Sequence, residues 1–258
     1  MFWVSASVAV TAAVRSTWSP CGLSMMSTIT PLAERARGRR YGLTALWFIL
    51  GATLGGLVTG ALAAVLAVAV ASTSATAAGL AAVGSVAALA AGAADLGLLG
   101  RPLPHLRRQV NEQWLEQFRS WVYGAGFGLQ IGSGFMTYIM TAAVYLVVVL
   151  AALLGSPAGA LLIGGLFGLV RGSAILLTAR ARTPGDLMVV HRWFESARPS
   201  VRNAVIVVEL GASLVLGVIA GWAVAVAVAV CVLCALAMRR AVRTRGRVPI
   251  APPVEMVT

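Results

Sequence analysis

The sequence predicts an all-α membrane protein: a polytopic helix bundle of about six transmembrane helices, arranged as two inverted three-helix repeats. Three observations carry that prediction. The 258-residue chain is 59% hydrophobic and 11% charged, whereas soluble domains are roughly 25% charged. Apolar stretches long enough to cross a hydrocarbon core of ~30 Å alternate with short polar segments. All 20 basic residues are arginine, and most gather in alternate loops.

A net charge of +12 on its own would suggest nucleic acid. Arginines confined between apolar spans are instead the pattern of cytoplasmic membrane loops. The expected partner is therefore the lipid bilayer and not nucleic acid. The Ala/Val/Gly/Arg bias without lysine suggests a GC-rich bacterial genome, hence the bacterial cytoplasmic (inner) membrane. The N-terminus has no positive leader region and no small-residue cleavage pattern, so it is read as part of the first span.

The elements follow in order. Span 1 covers 4–32, with Arg15 inside it and Ser19-Pro20-Cys21 interrupting it. A basic loop with Arg35, Arg37, Arg39 and Arg40 leads to span 2 over 42–71, which carries Gly51-x-x-x-Gly55 and Gly56-x-x-x-Gly60. Small residues four apart let helices approach closely in lipid. Span 3 covers 77–99 with Asp95 near its end, and completes a first repeat over 1–100. Residues 101–120 read as a cytoplasmic amphipathic linker whose Trp114, Leu115 and Phe118 suit the bilayer surface.

The second repeat covers 121–238. Span 4 (121–154) opens with Gly124, Gly126, Gly128, Gly132 and Gly134, a ladder suited either to close packing or to a bend. A bend there would mirror the Pro20 break and place the hydroxyls of Thr137 and Tyr138 beyond it. Span 5 covers 158–178 and contains Arg171; a polar loop with His191 follows. The apolar run 203–238 is read as one long span 6, with a fold-back near Gly217–Gly221 as the alternative. A basic, disordered tail over 239–258 ends the chain. Loops after spans 1, 3 and 5 carry four, four and five arginines, which puts them in the cytoplasm and the N-terminus outside.

Ser19-Pro20-Cys21, the basic loop Glu34 to Arg40, and the glycine-rich entry Gly124-Ala125-Gly126-Phe127-Gly128-Leu129 together resemble the CcdA/DsbD family of transmembrane thiol-disulfide carriers. That resemblance implies transfer of reducing equivalents across the membrane, with Cys21 as the redox thiol, Pro20 and Gly132/Gly134 as opposing helix breaks, and thioredoxin-like proteins and cytochrome c maturation factors as partners. The chain departs from the family at Ile131-Gly132-Ser133-Gly134-Phe135, where the second thiol is absent. Exchange needs a resolving sulfur. Cys231 and Cys234, three apart on one helix face, are either that pair or small apolar residues of a Val/Ala-rich helix. A small-solute or ion transporter on the same fold, or a non-catalytic membrane subunit, are the alternatives.

Arg15, Asp95, Arg171 and Glu209 are the intramembrane charges, each costing about 2.5–3.5 kcal/mol on insertion scales, so they are expected to face the bundle interior. Arg171 and Glu209 are expected to pair across adjacent spans. The sequence shows no metal cluster, catalytic triad or phosphate loop, and implies no cofactor.

Overall fold

Prolines and glycines decide where the apolar segments break. The computed structural model describes residues 1–99 and 113–245. Pro20 has no N–H to give to the carbonyl of residue 16, and it forces the residue before it out of the helical region. Helix α1 (Phe2–Ser16) accordingly ends, Ser19 is extended at ψ 152°, and α2 (Pro20–Thr28) starts with Ser19 as its cap. The same chemistry at Thr30-Pro31 starts α3 (Pro31–Ala36), with the Thr30 hydroxyl accepting the Ala33 N–H.

The remaining elements are α4 (Tyr41–Ala71), α5 (Ala77–Leu96), α6 (Trp114–Gln117), α7 (Ser120–Gly132), α8 (Ala143–Leu153), α9 (Pro157–Ser173) with a 3-10 extension Ala174–Thr178, α10 (Pro184–Ala220) and α11 (Trp222–Arg245). Among the described residues there is no strand. Five helices are long and apolar enough to cross a membrane, and α1 and α8 are shorter apolar helices. The protein is thus an all-α, multi-pass membrane protein. Exposed Leu62, Val65, Val207 and Val218 belong to its lipid-compatible surface.

Glycine seams hold the bundle together. α4 lies between α7 and α9. Gly51 and Gly55 meet the backbone of Ala125 and Leu129, while Gly128 and Gly132 meet that of Phe48 and Ala52, so α4 and α7 run parallel. Gly56 and Gly60 face Gly164, Gly168 and Ala160 in the antiparallel sense. A second antiparallel pair, α5 with α10, is tied by reciprocal bonds: the Ser85 hydroxyl donates to the Ser213 carbonyl (2.7 Å), and the Ser213 hydroxyl to that of Ser85 (2.8 Å). In lipid, where apolar burial against other apolar groups yields little, close backbone approach and such hydrogen bonds supply the association energy.

The long sixth span expected over 203–238 is two helices. Gly221, at φ 133°, ends α10 and starts α11. α11 folds back along α10: Gly217 lies against Ala225, and Arg239 donates to the Asn203 side chain at 3.2 Å. No polar residue marks this turn, and glycine's access to positive φ suffices for it. The fold-back brings Arg239, at the end of the apolar run, beside Asn203 and next to Arg202. Cysteines placed at 217 and 225, in a chain lacking Cys21, Cys231 and Cys234, are expected to cross-link on oxidation. An uninterrupted helix would hold them about 12 Å apart, beyond disulfide reach.

Two other expectations change. The loop expected after span 5 is mostly the first half of α10 from Pro184, started by a Thr183/Asp186 capping box. Of the linker, residues 101–112 lie outside the described residues, as does the tail beyond 245. Leu115 is buried rather than laid on a bilayer surface, and Trp114 stacks on Phe127 at 5.8 Å, while Phe118 stays exposed. The short connection from α6 to α7 lays Trp114 over Gly126 and Phe127 of α7.

Candidate functional site

The broken helices and one buried charge, Arg171, occupy the same place. Arg171 sits near the end of α9 and is 2% exposed. Its Nη2 donates to Thr137 Oγ1 at 3.0 Å and, at 3.5 Å each, to the Ser16 carbonyl and Ser19 Oγ. Ser16 is the residue whose carbonyl lost a helical donor to Pro20, and it also takes the Ser19 N–H at 3.1 Å. Thr137 lies in the non-helical stretch between α7 and α8. One guanidinium therefore touches both breaks, through a backbone carbonyl and a hydroxyl at the first and a side-chain hydroxyl at the second. Its Cζ also lies 5.9 Å from the centre of the Phe167 ring.

The second break is pinned at three points. α7 ends at Gly132, whose missing side chain admits the Ala52 carbonyl, and Gly134 turns the chain at φ 76°. The Thr59 hydroxyl donates to the Ser133 carbonyl at 2.7 Å. Arg171 holds Thr137. Asp95 holds the far end, accepting from the Thr141 hydroxyl and from the Ala142 N–H at 2.8 Å. Tyr138, the other expected hydroxyl, is exposed.

Between the breaks lies a cavity lined by Thr17, Gly22, Met26, Phe48, Ile131 and Arg171, among others, with room for about one water molecule. Gly22 comes from the first break and Ile131 from the second. Cys21 is buried in the first turn of α2. Above it, Trp18 stacks on Phe194 of α10 at 4.0 Å and donates to the Phe194 carbonyl at 2.9 Å. His191, expected in a solvated loop, is on α10 and bonds Ser27 of α2 at 3.1 Å. The first half of α10 thus covers the short helix that follows the Pro20 break.

Arg171 and Glu209 do not pair. Glu209 is fully buried on α10 where it faces Gly92 of α5, and neither of its oxygens has a hydrogen-bond partner. Asp95, one turn along α5 from Gly92, is the carboxylate whose field reaches both Arg15 and Glu209. The four intramembrane charges therefore do not gather in one place: Arg171 sits at the two helix breaks, Asp95 holds the far end of the second, and Glu209 faces α5 at Gly92. The pairing expectation failed because neighbouring spans were assumed to present facing charges, whereas α10 turns its acid toward α5.

Cys231 and Cys234 are exposed on α11, whose main partners are α10 and α5, and no disulfide joins the three cysteines. The structure does not bring them to Cys21.

A further buried acid carried no signal in the sequence beyond being a lone carboxylate among arginines. Glu34 is 0% exposed and accepts from Tyr123 (2.6 and 2.7 Å to its two oxygens), Thr44 (2.7 Å) and Arg37 (3.0 Å). Arg39 closes the cluster, donating to the Leu115 and Phe118 carbonyls and lying 5.1 Å from the Tyr123 ring centre. This network ties the loop after α3 to α4, α6 and α7, and so sets where the glycine ladder of α7 begins.

No family model matches the chain, and no solved structure matches it. Curated relatives do. The methylamine utilization protein MauF of Paracoccus versutus is 31% identical over 157 residues, 60% of this chain and 57% of that protein. MauF of Paracoccus denitrificans is 32% identical over 188 residues, 68% and 64%. MauF of Methylorubrum extorquens is 30% identical over 203 residues, 77% and 70%. The chain thus spans under two thirds of the length of the two Paracoccus relatives.

These names overturn the resemblance to the CcdA/DsbD carriers, and with it the cytochrome c biogenesis role and the transmembrane thiol-disulfide exchange. Ser-Pro-Cys is a proline break with a small buried residue after it, a feature that helix packing alone can use. The thioredoxin-like partners lose their basis with the relay, and the names point neither to a solute transporter nor to a non-catalytic subunit. With 30% identity across more than two thirds of both this chain and the Methylorubrum protein, the chain belongs to the MauF family of methylamine utilization proteins.

Proposed function

We propose that this protein acts in methylamine utilization from within the bacterial cytoplasmic membrane, and that its working centre is the pair of helix breaks held by Arg171. The observation that carries the first part is the match to MauF over 77% of the chain. What supports the second part is the placement of a buried guanidinium on polar groups of both breaks. Buried ionisable groups in membrane helices are costly and are retained where they do a task.

The orientation follows from charge. Arginines dominate the loop before α4 and the stretch before the apolar part of α10, and Arg239 joins that second stretch at Asn203. The positive-inside rule favours this face in the cytoplasm and the start of α1 outside.

Complementation tests the proposal. A Paracoccus denitrificans strain lacking its MauF, supplied with this chain, is expected to grow on methylamine as sole carbon source. The Arg171→Leu variant, present in the membrane at wild-type level, is expected to abolish that growth, because it removes the group held at both breaks. No growth with well-expressed wild-type chain would remove the first part; full growth with Arg171→Leu would remove the second.

A further inference from the structure

We propose that Glu209 binds one exchangeable proton in the membrane interior, on a carboxyl enclosed between α10 and α5. Glu209 lies in the apolar part of α10, about 18 Å along the helix from the Gly221 turn. It is fully buried, and neither of its oxygens has a hydrogen-bond partner. Among the described residues no cation pairs with it; the ion pairs present are Arg37–Glu34 and Arg198–Glu195. An ionised carboxylate there would give up its hydration with no compensating contact, which is strongly unfavourable. The neutral acid escapes that cost.

Close packing keeps water from taking the place of a partner. A Cβ at Gly92 would lie 2.7 Å from Leu210 Cδ2 and 3.6 Å from Glu209 Cβ, so α10 already fills the space that the glycine leaves. One turn along α10, Ser213 and Ser85 exchange hydroxyl bonds across the same seam, at 2.7 and 2.8 Å. The carboxyl is therefore set in a joint that is drawn tight on both helices.

The charged groups on the neighbouring elements do not supply a counter-ion. α5 brings Asp95, whose charge acts on Glu209 and opposes a second negative charge beside it. α1 brings Arg15, which lies in the field of Asp95 and makes no ion pair with Glu209. α11 brings Arg239, which is held by Asn203, and on α10 itself Arg202 donates to the Asp95 carbonyl at 3.0 Å. The 3-10 turn Ala174–Thr178 carries no charged residue.

Oxygen count then selects the ligand. Calcium and magnesium ions take about six or more oxygens. Asp95 cannot add its own, because they accept from the Thr141 hydroxyl and the Ala142 N–H. Among the described residues no group of three His, Cys, Asp or Glu side chains could hold a metal ion. A proton needs a single oxygen and no added room. This site lies apart from the helix breaks, and proton binding at Glu209 stands or falls independently of growth on methylamine.

The test is infrared absorption of the purified full chain in lipid vesicles at pH 7. A protonated carboxyl has a C=O band that a carboxylate lacks, and the band shifts when H2O is replaced by D2O. One such band is expected in the wild-type chain and is expected to be lost in Glu209→Gln, which keeps the shape of the neutral acid. Should Glu209→Gln not fold, labelling the wild-type chain with 13C-carboxyl glutamate is expected to move the band, and Glu34→Gln, which alters the other buried glutamate, is expected to keep it. A wild-type spectrum without the band overturns the proposal. So does a band that ignores D2O, that survives in Glu209→Gln, that labelled glutamate leaves in place, or that disappears in Glu34→Gln.

Discussion

Replacing Gly168 with leucine is expected to destabilise the folded protein by more than about 3 kcal/mol, the upper range for overpacking of a tight core. A Cβ at Gly168 would lie 2.9 Å from the Gly56 Cα and closer still to the Ala52 carbonyl oxygen. Backbone cannot rotate away as a side chain can, so α4 and α9 must separate. Separation also costs the adjoining contacts of Gly56 and Gly60 with Gly164, because one straight seam carries them all. Gly211→Leu is the control. Gly211 lies on α10 with nothing within 4 Å of its would-be Cβ, and leucine is the better helix former by roughly 0.8 kcal/mol. Thermal unfolding of both variants in micelles decides the matter. If the two unfold alike, the seam does not hold the bundle.

Loss of the Glu34 carboxylate is the second large effect. Glu34→Ala is expected to cost about 3 kcal/mol, the lower end for breaking a buried charged pair. The lower end applies because Arg37 keeps 29% of its side chain exposed and can return to water. Tyr123 and Thr44, both 0% exposed, cannot, so their hydroxyls lose their acceptor while still buried. Glu34→Gln retains two-sided shape and one carbonyl oxygen and is expected to cost about half as much. The coupling is the sharper readout. Tyr123→Phe removes the stranded hydroxyl, so it should cost less in the Glu34→Ala background than in the wild type, by at least about 1 kcal/mol. Strict additivity of the two substitutions in denaturant or thermal unfolding counts against the network.

Both predictions concern features that the sequence displayed unequally. The glycine ladders were plain in the sequence, because small residues four apart let membrane helices approach closely. Which ladder meets which was not. Gly51 and Gly55 turn to α7 and Gly56 and Gly60 to α9, although the two motifs are adjacent, since residues one apart on a helix face directions about 100° apart. Glu34 was hidden for a different reason. Its three donors come from residues 37, 44 and 123, and nothing local distinguishes an acid destined for burial from one paired on a surface.

The misread resemblance has a similar origin. A proline break followed by a thiol, a basic loop and a glycine-rich entry are each solutions to bending and packing a membrane helix. Their coincidence reflected the shared problem, and the residue that would have marked the carrier chemistry, a second thiol near 131–135, was missing. Arg171 was singled out for its cost, and Thr137 for its hydroxyl; their union with Ser16 and Ser19 spans 155 residues of sequence.

By itself the sequence determined the solvent, the helical class, the Pro20 break and the loops in which positive charge gathers, and offered the second break as one of two readings of the glycine ladder, because hydrocarbon imposes those through backbone satisfaction and charge cost one residue at a time. Tertiary structure alone decided the pairing: that Arg171 serves both breaks, that Glu209 faces Gly92 of α5, and that Gly221 reverses the last apolar run. Those depend on how helices rotate against one another, and rotation is set by many weak contacts whose partners lie far apart in the chain.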